Sequence, residues 1–194
     1  MLGKNALHCL GHLLRLCPAH SQLTPAEREC LARYAGGKRL AVEIGVYHGA
    51  STALIRQQMS PGGRIVGIDP HPAGRLGFSL ERAVAQREIG RHRGAVVELL
   101  RMTSNEAATR WNEEIDLLFI DGDHSWRGIA DDWTSWSQFV SIGGIALLHD
   151  TQPRLDRPDL ESVAYYRQVI TRDQRFATLE ISDTISVLCK KCAT

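Results

Sequence analysis

The chain has no uninterrupted apolar run near its start. In "ALHCLGHLLRLC" the apolar residues are cut by His8, His12 and Arg15, so the stretch reads as an amphipathic helix, not a signal peptide or a membrane span. It also lacks an excess of either charge: 23 Lys and Arg against 22 Asp and Glu leave a formal +1, which gives no bulk attraction to nucleic acid or to an anionic membrane. No disulfide framework is present. The five cysteines are odd in number and scattered at Cys9, Cys17, Cys30, Cys189 and Cys192, which points to a reducing cytoplasm. Cys189 and Cys192 form a C-x-x-C, but no second pair completes a zinc site. Repeats, low-complexity tracts and linkers are missing too, and 194 residues suit one domain with a real core. The last absence is G-x-G-x-x-G, the loop that lets backbone meet a dinucleotide pyrophosphate, and it disfavours an NAD-dependent oxidoreductase.

What is present is an alternation. Residues 1–37 read as an N-terminal helical segment, in which "LTPAERECLARYAGG" has Thr24 as N-cap, Pro25 in the first turn and Gly36-Gly37 as a stop. From residue 38 to 194 short apolar runs alternate with amphipathic stretches. "LAVEIG", "RIVGIDP", "AVVELLR", "IDLLFIDGD" and "GGIALLHD" read as strands; "ASTALIRQQM", "SLERAVAQREIGRHR", "SNEAATRWN" and Trp126 to Val140 read as the helices between them. This is the pattern of a Rossmann-like α/β fold, a doubly wound and mostly parallel sheet covered on both faces. After a helix near Leu160 to Ile170, "RFATLEIS" and "TISVLCK" stand only Ser182-Asp183 apart, close enough to require an antiparallel hairpin. Ile129, Trp133, Trp136 and Val140 fall on one helical stripe and read as core.

A parallel sheet binds ligands at the carboxyl ends of its strands. Here those ends carry Glu43 and Gly45, then Asp69, then Thr103, Ser104 and Asn105, then Asp121, Asp123 and His124, and finally His149 and Asp150. So many acids on one rim call for a cation or a hydrogen-bonded ligand. Glu43 would repel a phosphate and suit a cationic ligand, while Asp69 stands where an acid takes ribose hydroxyls. Without a phosphate cradle, this describes S-adenosylmethionine better than NAD.

"VEIGVYHGAS", "IDLLFIDGDHSW" and "GGIALLHDT" resemble motifs of the class I S-adenosylmethionine-dependent methyltransferases, over residues from about 40 to 190. The similarity is to the metal-dependent O-methyltransferases of catechol and caffeoyl-CoA type, and more closely to the bacterial branch with the macrolide-sugar enzymes. It implies a seven-stranded sheet closed by the antiparallel hairpin. It places Glu43, Gly45, Tyr47, Gly49 and Ser51 around the methionine part of the cofactor, Asp69 at the ribose and Ser104 with Asn105 at the adenine, with Asp121 beside them. It places a divalent cation, magnesium by the oxygen donors, on Asp121, Asp150 and Thr151, where Thr151 stands in place of the family's asparagine. His124 replaces the family's catalytic lysine and would accept the proton of a hydroxyl acidified by the ion. Asp123 and His149 remain open between ligand and supporting partner.

The function so implied is methyl transfer to a hydroxyl of a sugar, natural product or phenol. The alternative is an inactive binding or scaffold protein on the same fold. Expected partners are a small-molecule acceptor and a homo-oligomer formed through the N-terminal helices, with neither nucleic acid nor membrane. "TQPRLDRPDLE" would shape the acceptor pocket, and "REIGRHR" reads as a solvated helix end.

Overall fold

The structure is a computed structural model that describes residues 4–14, 16–74, 77–155, 157 and 159–191; Arg15 and Cys192, named above, and Asp156 and Pro158 of "TQPRLDRPDLE" lie outside the described residues. Two helices, α1 (Lys4–Leu13) and α2 (Pro25–Ala35), precede the sheet. Thr24 caps α2 as the sequence predicts, in a capping box with Glu27, and Gly36 follows the last turn. No helix among the described residues is long and apolar enough to cross a membrane.

The sheet has seven strands: β1 (Leu40–Ile44), β2 (Arg64–Ile68), β3 (Val96–Leu100), β4 (Ile115–Ile120), β5 (Val140–Leu148), β6 (Phe176–Ser182) and β7 (Ile185–Lys190). Their order is β3-β2-β1-β4-β5-β7-β6. The first five pair in parallel, and β7 enters antiparallel between β5 and β6. Helices α3 (Ala50–Gln58), α4 (Leu80–Gly90), α5 (Ser104–Ala108) and α6 (Trp126–Trp136) make the crossovers, and α7 (Glu161–Gln168) leads to the hairpin. Because the chain winds outward from β1 in one direction and resumes at β4 in the other, a crevice opens between the carboxyl ends of β1 and β4.

Strand alternation sorts the core into two layers. Val42, Ile44, Leu118, Ile120, Ala146 and Leu148 face one side with Trp133 and Trp136. Ala41, Leu117, Phe119 and Leu147 face the other with Leu31 and Ile55. Glu43 shares the face of Ala41, a placement that bears on the site.

The helices expected over "SLERAVAQREIGRHR" and "SNEAATRWN" stop early, at Gly90 and Ala108, and two further boundaries move. The helix expected from Trp126 to Val140 ends at Trp136, a 3-10 turn covers Ser137–Phe139, and Val140 opens β5 opposite Ile115. The sequence placed the strand start at the glycines because Gly143 interrupts the apolar run. Gly143 has φ 77° and lies within the strand, where the pairing with β4 shifts register. Val140 still packs in the Trp136 layer, so the core reading survives the change of element. The hairpin turn falls at Asp183 and Thr184, one residue later than expected, with Asp183 at φ 48°.

Candidate active site

The loop after β1 is built around an acid and a glycine. Gly45 has φ 89°, donates its N–H to Ile68 O at 2.9 Å, and lies so close to β4 that a Cβ would overlap the Asp121 carbonyl. Only glycine lets the two strand ends come together there. Asp69, at the end of β2, accepts the N–H groups of Val46 (3.0 Å) and Tyr47 (2.9 Å) on Oδ2 and that of His71 (2.8 Å) on Oδ1. It therefore holds the loop, with Tyr47 at φ 48°, while still lining the cleft. Gly49 packs on α4 against Ala85 and Ile89.

Glu43 is fully buried on the face it shares with Ala41, where the Thr52 hydroxyl donates to it. Burial raises its carboxyl to about 8 against the pull of hydrogen bonds from Ser51 and Thr52. Burial therefore favours the neutral carboxyl near pH 7, and Glu43 reaches the cleft only through the Ser51 and Thr52 side of the loop. Neither Glu43 nor Gly49 lines the cleft.

The cleft measures about 680 Å³, the size of a small-molecule site. Of the residues the sequence assigns to the cofactor, Gly45, Tyr47, Ser51, Asp69, Ser104, Asn105 and Asp121 line it, and so does His124. Two contributors went unnoticed. Asp132, on α6, accepts the Ser104 hydroxyl, and burial raises its carboxyl to about 6. The available signal was an acid beside the apolar stripe at Trp133. His20 to Leu23, between α1 and α2, form another wall, and nothing in their types marked them.

At the β4 and β5 ends lies the second cluster. Asp121, His124 and His149 offer donor atoms within 4.8 Å of one another, an arrangement that could hold a metal ion. His149 Nδ1 is 2.8 Å from Asp121 Oδ1. His124 Nε2 is 3.7 Å from Asp121 Oδ1 and 3.6 Å from Asp150 Oδ2, which is itself 3.8 Å from His149 Nδ1. Asp150 has φ 51°, is fully buried, and neither carboxylate oxygen finds a hydrogen-bond partner among the described residues. The Arg154 and Arg157 guanidinium groups approach only to 3.9 and 3.8 Å. A buried carboxylate so placed suits a cation, and the residues fit a divalent ion.

Of the expected donors Asp121, Asp150 and Thr151, the last lies apart from the other two. Thr151 is buried with its hydroxyl against Leu148 O (3.2 Å), Thr184 O (3.0 Å) and the Ser186 hydroxyl (2.8 Å), outside the group. In its place stands His149, between Asp121 and Glu27, whose Oε2 is 3.5 Å from Nε2. Burial disfavours charge on this ring, but the carboxylates of Asp121 and Glu27 beside it outweigh that and raise the imidazole to about 10, although neither ring nitrogen has hydrogen-bond geometry to a partner among the described residues. An ion at Nδ1 would take the place of a proton. Asp123 accepts Ser125 N and Oγ, both at 2.9 Å, and serves the turn into α6.

Residues 42–151 match the family model described as a methyltransferase domain. An uncharacterized protein of Acanthamoeba polyphaga mimivirus is 30% identical over 115 residues, 57% of this chain and 51% of that protein, so the matched part spans about half the relative's length. Among solved structures, the O-methyltransferase from Bacillus cereus, in complex with SAH, aligns over 98% of this chain and 92% of its own, with TM-score 0.67 and 19% identity. The N-methyltransferase NodS from Bradyrhizobium japonicum aligns over 98% and 99%, with TM-score 0.61 and 14% identity. At such identities the likeness is one of fold, and acceptor chemistry differs between the two.

Proposed function

The chain belongs to the methyltransferase-domain family and has the class I fold of S-adenosylmethionine-dependent enzymes; from that premise we propose that it transfers a methyl group from S-adenosylmethionine to a hydroxyl of a small molecule, with a divalent ion beside the acceptor. The observation that supports this most is the group of Asp121, His124 and His149 at the lip of the cleft.

Asp69 and the loop it organises would bind the ribose end, Ser104, Asn105 and Asp132 the adenine, and Gly45, Tyr47 and Ser51 the methionine end. Asp121 and His149, with Asp150 beside them, would hold the ion. Bound there, a divalent ion lowers the pKa of an oxygen acid, which an alcohol or phenol needs near neutral pH. Within the group, His124 is the imidazole that lines the cleft. It would accept the acceptor's proton as the new C–O bond forms and the C–S bond breaks, leaving S-adenosylhomocysteine. The same Nε2 cannot bind an ion and take a proton at once, so the two roles are separable.

Incubation with S-adenosylmethionine and a panel of sugars, catechols and phenols, with manganese, magnesium or excess chelator, tests the reading. Methylation that needs an added ion is the expected result; full turnover in chelator would remove the ion from it, and none under any condition would favour a binding protein. For His124→Ala we expect kcat to fall about 10²–10⁴-fold, unchanged by saturating manganese. Recovery with manganese would make His124 a ligand.

The described cysteines are free, Cys9 and Cys30 buried, which supports a reducing compartment. Leu7, Leu14 and Leu16 are exposed, which supports a homo-oligomer through the N-terminal segment, testable by sedimentation.

A further inference from the structure

Glu27 sits in the third position of α2, in a segment whose one other acid, Glu29, is exposed, yet it is fully buried. Its carboxylate is held on several sides. Oε1 accepts Thr184 N at 2.9 Å and Thr184 Oγ1 at 2.6 Å, in the turn between β6 and β7. Oε2 accepts Thr24 N at 2.8 Å. Oε2 also lies 3.5 Å from His149 Nε2, and the opposite ring nitrogen lies 2.8 Å from Asp121 Oδ1; both are ion-pair approaches, and neither ring nitrogen has hydrogen-bond geometry to a partner among the described residues. Glu27, His149 and Asp121 thus form a line from the N-terminal segment through the end of β5 to the end of β4.

We propose that Glu27 is a positioning residue of the ion site: it accepts the N–H of His149 Nε2, fixes the rotation of the ring so that Nδ1 faces Asp121, and so makes the N-terminal segment part of that site. This rests on the ion described under Proposed function. An imidazole offers two nitrogens, and an acceptor fixed behind one of them decides which is presented and makes it the better donor. A helix cap alone does not explain the arrangement. The capping box uses only Thr24 N and the Thr24 hydroxyl, whereas a buried carboxylate aimed at a second buried ionisable group requires a partner there.

The test uses the full chain, wild type and Glu27→Gln, with manganese binding followed by the electron paramagnetic resonance of the free ion and S-adenosylhomocysteine binding followed by calorimetry. Glu27→Gln should bind manganese about 10- to 100-fold more weakly, with S-adenosylhomocysteine affinity changed by less than about twofold, since Glu27 does not line the cleft. Equal manganese affinity in the two proteins would overturn the proposal and leave Glu27 as a pin between helix and hairpin. A wild-type chain that binds no manganese would overturn the ion reading itself, and this proposal with it.

Should Glu27→Gln not fold, the wild-type protein decides alone. In long-range proton–nitrogen spectra with zinc as a diamagnetic ion, His149 Nε2 should keep its proton while Nδ1 shifts on binding. A shift at Nε2 instead, or none at either nitrogen, would overturn the proposal.

Discussion

A methyl group at Gly45 would meet two obstacles, the left-handed backbone and the Asp121 carbonyl, whereas Gly62, at φ 78°, has open space around it. Gly62→Ala should therefore lose only about 1–2 kcal/mol, the strain of a left-handed L-residue. Gly45→Ala should lose more than about 3 kcal/mol, because β1 and β4 must part. Urea unfolding of the two variants checks the contrast, and equal losses would mean that the close approach is relaxed easily. Glu43 gives a pH dependence. Its folded value, about 8, lies above the ordinary 4.5, so the native state holds the extra proton between those values and this contribution to stability declines as pH rises through that window. Relative to Glu43→Gln, which does not titrate, the wild type should lose up to about 1.4 kcal/mol per pH unit there. Parallel stability profiles would show that the carboxyl is ionised when buried. Gly45 and Asp69 were legible from residue type and strand position. The orientation of Glu43 was not recognised, although period-two alternation already placed it opposite Val42 and Ile44.

At the scale of elements, α2 joins the N-terminal segment to the hairpin. Thr24 Oγ1 accepts Glu27 N at 3.2 Å and donates to Asp183 at 2.6 Å, and Glu27 reaches Thr184. Thr24→Ala should cost about 1 kcal/mol and lower Tm by roughly 2–4 °C in a chain of this size, read by calorimetry. No change would mean that packing of Leu31 and Cys30 alone anchors the helix. The cap itself was readable, since Thr24, Pro25 and Glu27 are local signals. Its second use, as the backing of a histidine on β5, was not, because Glu27 and Thr184 meet only after the sheet has closed.

For the molecule as a whole, the cleft predicts that S-adenosylhomocysteine binds the native chain in the low micromolar range, roughly −8 kcal/mol. At a hundredfold excess over Kd this adds about 2.7 kcal/mol of stability, a rise in Tm of roughly 5–10 °C, and the shift should persist in chelator because Gly45, Tyr47, Ser51, Asp69, Ser104, Asn105 and Asp132, the residues proposed to hold the cofactor, are none of them in the ion group. NADH producing the shift instead would contradict the assignment. Local chemistry in the sequence determined which segments become strands and helices, that the strands are buried, and that acids and histidines gather on one rim, because apolar periodicity and strand ends are written in residue order. Even the hairpin follows from two strands too close to cross over. Tertiary structure alone decided the partners: that Glu43 is sealed in and favours its neutral form, that Asp69 holds the loop as well as lining the cleft, that Thr151 bonds to β7, and that His149 lies between Asp121 and Glu27. Such contacts join residues far apart in the chain, and their direction depends on strand register and backbone angle, as at Asp150 with φ 51°.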